Sequence, residues 1–124
     1  MLSDAKLVAF VPTTDFARAR AFYAGVLALP VVSEDDFALV LDARGTTVRV
    51  TKVEALRAAP YTILGWEVAD IRELAAALAA RGVVFERYPW FEQDPLGIWT
   101  APSGHRVAWF KDPDGNVLSV SQAG

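Results

Sequence analysis

The chain contains no cysteine. Disulfides, zinc ribbons, thiolate nucleophiles and iron–sulfur clusters are therefore excluded together. There is a single histidine, His105. It stands in "SGH" at the start of a strand, so no Ser-His-Asp relay is expected; solvent exposure is its plain reading. Twelve basic residues face 15 acidic ones, for a net charge of -3, and no Lys/Arg run occurs. That balance leaves no electrostatic footprint for nucleic acid. No apolar run is long enough to span a bilayer, so no membrane partner is expected. The opening "MLSDAKLVAF" lacks a basic region followed by a long apolar stretch. No secretion signal is expected from it, and a cytoplasmic location is the default. No glycine-rich stretch opens a helix; "GTTVRV" and "DGNV" read as turns, not phosphate loops.

What is present is an ordinary globular composition of 124 residues, 53% hydrophobic and 22% charged. That suffices for one compact domain with its own core. The chain also repeats itself. At an offset of 55 residues, "LVAFVPTTDFARARAFY" from Leu7 lies over "TILGWEVADIRELAAAL" from Thr62. Each reads as a short apolar strand, an aspartate and an alanine-rich amphipathic helix. Asp15 falls on Asp70, and both suit an N-cap. The helices are predicted over about 16–26 and 71–81, with Gly25 and Gly82 near their ends.

A second match lies at an offset of 70, where "FALVLDARGTTVRVT" from Phe37 covers "VAWFKDPDGNVLSVS" from Val107. Asp42 falls on Asp112 and Gly45 on Gly115, so both read as strand, Asp-x-x-Gly turn, strand. Short strands are expected at Val31–Ser33 and Val83–Glu86. The two offsets differ by 15 residues, which places an insertion within "RYPWFEQDPLGIWTAPSG". Insertions rich in Pro, Gly and aromatics are usually functional loops or partner contacts. The predicted class is α+β, with two tandem βαβββ modules at about 6–52 and 61–122 of a single domain. Each module offers a curved mixed sheet with a helix on one face, leaving the other face to line a cleft.

Three stretches, "TTDFARARAFYAGVL", "ILGWEVADI" and above all "VAWFKDPDGNVLSVSQ", identify the chain by resemblance as a member of the vicinal oxygen chelate superfamily. That superfamily includes glyoxalase I, the extradiol dioxygenases and the fosfomycin- and bleomycin-resistance proteins. The resemblance covers nearly the whole chain and implies a cleft between the modules. It also implies a homodimer, since single-domain members usually pair.

In the metal-dependent members the resemblance implies four ligands, typically His or Glu. They lie on the opening strand and on the last hairpin strand of each module. Those places fall here on Val8, Arg49, Ile63 and Ser119, with Arg49 assigned as the repeat partner of Ser119. Two are aliphatic, one is a cation and one is a neutral hydroxyl. Divalent ions need carboxylates or imidazoles, and a fixed guanidinium would repel them. No metal and no other cofactor is expected, which disfavours glyoxalase-type isomerisation and extradiol cleavage. A binding protein of the bleomycin-resistance kind is the closer analogy.

Alternation from those four places puts Phe10, Pro12, Thr47, Thr51, Gly65, Glu67, Val117 and Ser121 on the cleft side. Arg49 suits a two-pronged grip on a carboxylate or phosphate; an ion pair with Glu67 or an outward orientation are its alternatives. Trp90, Phe91 and Trp99, with Tyr88 beside them, either stack on a flat or cationic ligand or fold onto the core or a dimer partner. Glu92 and Asp94 among them would attract a basic group. Trp66 has helix-facing parity and is expected in the core, and Trp109 is open to either side.

Three functions are compatible with these residues. The first is a metal-free binder of a small organic molecule, using Phe10, Arg49, Glu67, Trp90, Phe91, Trp99 and Ser119. The second is an enzyme of the same superfamily with an atypical metal site or metal-free acid–base chemistry through Glu67. The third is a protein-interaction module built on the aromatic insertion.

Overall fold

A computed structural model describes all 124 residues. The chain divides into two compact units, Met1–Arg57 and Ala58–Gly124. In the first, strand β1 (Val8–Thr13) leads into helix α1 (Phe16–Arg20) and then β2 (Val31–Glu34), β3 (Ala38–Ala43) and β4 (Thr46–Lys52). The sheet order is β1-β4-β3-β2, with β1 parallel to β4 and the other pairs antiparallel. In the second, β5 (Thr62–Glu67) leads into α2 (Ile71–Ala80), then β6 (Trp99–Thr100), β7 (Arg106–Lys111) and β8 (Val117–Gln122). Its order is β5-β8-β7-β6, with β5 parallel to β8. The fold is α+β, two βαβββ modules in tandem, as the repeat predicts.

Alternation explains each core. In the first unit Val11, Leu39, Leu41, Val48 and Val50 are buried with Ala19 and Tyr23, so one face of the sheet packs under the helix. In the second, Ile71, Ala75 and Leu78 recur at helical spacing and are buried with Ala108, Phe110, Leu118 and Val120. The predicted caps form. The Asp15 carboxylate accepts from the Arg18 amide at 3.1 Å and that of Asp70 from the Glu73 amide at 3.0 Å. The side chain of Gln122 accepts from the Ile71 amide at 2.9 Å, tying the start of α2 to the end of β8.

The two helices end differently. Gly82, with φ of 94°, takes the left-handed position after α2. Gly25 plays no such part. There α1 continues as a π-helical segment, Ala21–Val26, and Ala28 is the residue with positive φ, 59°. The wider turn brings the Leu27 amide onto the Phe22 carbonyl at 2.9 Å, five residues back.

The expected strand Val83–Glu86 shrinks to one bridge, Phe85 to Phe110, extended by the Glu86 amide on the Trp109 carbonyl. The inserted segment supplies the regular fourth strand instead, pairing Trp99 with Val107 and Thr100 with Arg106. The outer edge of β7 is thus shared by two pieces of chain. Trp66 sits opposite Val120, on the helix side as its parity predicts, but it is only half-buried and not in the core as expected.

Candidate functional site

On the first unit, registration sets Val8 against Thr47, Phe10 against Arg49 and Pro12 against Thr51. All six point away from the helix, on the open face of the sheet. Arg49 lies on a central strand, with Phe10 on one side and Val40 on the other. Its guanidinium carbon is 5.9 Å from the centre of the Phe10 ring, a cation–π contact on an exposed ring. Arg49 also adds to the lowering of the Asp35 carboxyl. The larger causes there are the amides of Phe37 and Ala38, which donate to that carboxylate at 2.8 and 2.9 Å.

On the second unit, the equivalent pair is Gly65 against Ser119, and Glu67 lies against Ser121. The place of a Gly65 Cβ would be 2.6 Å from the Ser119 Oγ, so that hydroxyl leans over the glycine. Glu67 is open to water, as a solvated carboxylate would be. A bulge between Thr62 and Leu64 interrupts alternation at Ile63. Val117, expected to line the open face, is 4% exposed and has no free surface to offer.

The inserted loop folds onto the open face of this sheet. Trp109 lies opposite Ser119 and so shares that face. Phe91 stacks on it at 5.0 Å with an interplanar angle of 4°. Trp99 approaches Phe91 to 4.5 Å, and Tyr88 meets Trp109 edge-on at 5.5 Å. Trp90 stacks on Tyr88 at 5.2 Å and is 71% exposed. Burial raises the Tyr88 phenol above its ordinary value; the Glu86 charge adds to the rise and Lys111 opposes it.

The loop is braced by Gln93. Its side-chain oxygen accepts from the Tyr88 amide at 2.8 Å, and its nitrogen donates to the carbonyls of Glu86 and Gly97 at 2.9 and 2.8 Å. Arg87 donates to the Pro95 carbonyl at 2.8 Å. One carboxylate oxygen of Asp94 accepts from the amides of Leu96 and Ile98, both at 2.9 Å. Beside this loop lies a cavity of about 360 Å³ lined by Glu92, Gln93, Asp94, Ile98, Trp99 and Thr100. Gln93 carries no signal in the sequence; a lone glutamine in a loop has no motif.

The four places where the resemblance implies metal ligands do not fit a divalent ion. Val8 and Ile63 offer hydrocarbon, Arg49 a positive charge over Phe10, and Ser119 a neutral hydroxyl beside Gly65. No three His, Asp or Glu side chains converge anywhere in the chain. His105 is half-buried in the turn before β7, where its carbonyl accepts from the Ala101 amide at 2.7 Å. No helix is long and apolar enough to cross a membrane.

The family model described as Glyoxalase/Bleomycin resistance protein/Dioxygenase superfamily matches residues 6–120. No curated protein sequence matches the chain. Among solved structures, a member of that superfamily from Sphaerobacter thermophilus is similar at a TM-score of 0.74 and 22% identity, covering 98% of this chain and 99% of its own. Lactoylglutathione lyase from Agrobacterium tumefaciens is similar at a TM-score of 0.75 and 18% identity, covering 96% and 93%. A glyoxalase/bleomycin resistance protein/dioxygenase from Alicyclobacillus acidocaldarius follows at 0.73 and 17%, covering 97% and 92%. At these identities the likeness is one of fold.

Proposed function

Because the chain belongs to the glyoxalase/bleomycin resistance protein/dioxygenase superfamily, we propose that it binds a small organic molecule against the aromatic loop of its second unit, without a divalent ion. The observation that carries this reading is Trp90. Its ring is 71% exposed yet held in place by stacking on Tyr88. A bare aromatic face resting on a second ring is a ready platform for a flat ligand. The neighbouring cavity offers Trp99 as a second aromatic surface and Glu92 as a carboxylate. The donor chemistry at Val8, Arg49, Ile63 and Ser119 supports the metal-free part of the proposal. Glu67, open to water, lacks the enclosure that a general base draws on, so a binding role is preferred to an acid–base one.

The test is titration of intrinsic fluorescence and thermal shift with a panel of flat aromatic compounds. Saturable quenching with a rise in melting temperature is expected, weakened about tenfold in Trp90→Ala, which corresponds to ~1.4 kcal/mol. Binding unchanged in both Trp90→Ala and Trp99→Ala would contradict the proposed place. The expected homodimer belongs to the same proposal, and sedimentation equilibrium measures it directly.

A further inference from the structure

We infer that the open face of the first unit carries a subsite for a carboxylate, formed by Arg49 and Thr51. This rests on the reading of the chain as a metal-free binder of small organic molecules and adds a second place on the first unit, with the charge class it takes.

Three observations carry it. First, Arg49 is exposed and its guanidinium makes a ring contact but no ion pair. The Phe10 ring covers part of the guanidinium and leaves donors for a planar, two-oxygen acceptor. Second, Thr51 follows on the same strand and the same face, two residues away. Its Oγ1 is buried and has no hydrogen-bond partner. A buried hydroxyl without a partner is uncommon and calls for one. Third, Thr51 lines a cavity of about 420 Å³ with Phe37, Lys52 and Val53, and Phe37 is 81% exposed. Successive same-face residues on a strand lie about 7 Å apart. In this subsite a carboxylate held by Arg49 accepts from Thr51 once the side chains covering its hydroxyl shift, while an apolar body rests against Phe10 or Phe37.

The surrounding charges narrow the class. Asp36 and Glu54 line the same cavity, and Asp35 lies within electrostatic reach of Arg49. Against them stand Arg49 and Lys52. The acids at the rim repel a dianion about twice as strongly as a monoanion, so a phosphate dianion is disfavoured relative to a carboxylate.

The experiment is amide NMR titration of the full chain with phenylacetate, its neutral isostere phenylacetamide, and inorganic phosphate. Phenylacetate is expected to move the signals of Phe10, Arg49 and Thr51 in a saturable way. Phenylacetamide and phosphate should each bind at least tenfold more weakly there. Arg49→Gln should lose about tenfold in phenylacetate affinity and Thr51→Val several-fold, with Thr51→Ser retaining it; the spectra themselves report that each variant is folded. Equal binding of phenylacetate and phenylacetamide, a phenylacetate affinity unchanged in Arg49→Gln, or no movement of those signals would each overturn the subsite. The indole signals of Trp90 and Trp99 are read in the same spectra. Their response alone would leave the aromatic reading standing while removing this one.

Discussion

The same two places in the two units hold opposite chemistry. Phe10 and Arg49 face each other across β1 and β4, and Gly65 and Ser119 across β5 and β8. The first pair projects a ring and a cation from its sheet; the second leaves a hollow into which one hydroxyl leans. Strand order is the same in both, so the scaffold supplies equivalent places and the side chains alone decide their use. The second unit fills its open face with an inserted aromatic loop, whereas the first leaves its face to Phe10, Arg49 and the threonines.

The largest expected difference between the units lies in their hairpin turns. One oxygen of the Asp112 carboxylate accepts from the amides of Asp114 and Asn116, and the other from the Asn116 side chain, with Asp112 and Asn116 both buried. Its repeat partner Asp42 accepts from the Gly45 amide on an exposed turn. Asp112→Ala should cost about 3 kcal/mol in urea unfolding, because it strands buried donors, against about 0.5 for Asp42→Ala. Equal costs would mean that the turns are interchangeable.

Next comes the facing pair itself. Gly65→Ala sets a methyl group 2.6 Å from the Ser119 Oγ. The hydroxyl can turn away, so the expected cost is about 0.5–1 kcal/mol, falling in a Ser119→Gly background. Phe10→Ala, on a residue 62% exposed, should stay within about 0.5 kcal/mol. The capping pair does not separate the units: Asp15→Ala and Asp70→Ala should each cost ~1 kcal/mol, alike in both because the same bond is lost.

The smallest effect is acid sensitivity confined to the first unit. The amides of Phe37 and Ala38 hold the Asp35 carboxyl below its ordinary value of 3.8, with Arg49 adding least. A lowered carboxyl stabilises the fold above its unfolded value and loses that contribution as pH falls through the folded one. Asp35→Asn should therefore flatten the stability profile below about pH 4. In Arg49→Gln the Asp35 carboxyl should titrate at slightly higher pH in carbon-detected NMR.

Much of this comparison is legible in the sequence because it rests on local rules. Asp42 and Asp112 announce turns, Asp15 and Asp70 announce helix starts, and strict alternation puts Phe10, Arg49 and Ser119 on open faces. What is not legible depends on pairing with distant chain. The bulge at Ile63 exists only against β8, and the side taken by Trp109 follows from its register with Ser119. The strand expected at Val83–Glu86 yields most of the β7 edge to Trp99–Thr100, and an insertion's landing place has no local code. Gly25 reads as a helix stop, yet a π-helical turn moves the left-handed residue to Ala28. Gln93 organises the aromatic loop through three hydrogen bonds that no spacing announces.

Native mass spectrometry of the untagged chain, after incubation with nickel, zinc, iron(II) and manganese, tests the central claim most directly. The account predicts a chain mass that gains no divalent ion, with any retained adduct an organic one. One metal ion held per chain, surviving buffer exchange, would contradict it and return Val8, Arg49, Ile63 and Ser119 to the question of what coordinates it.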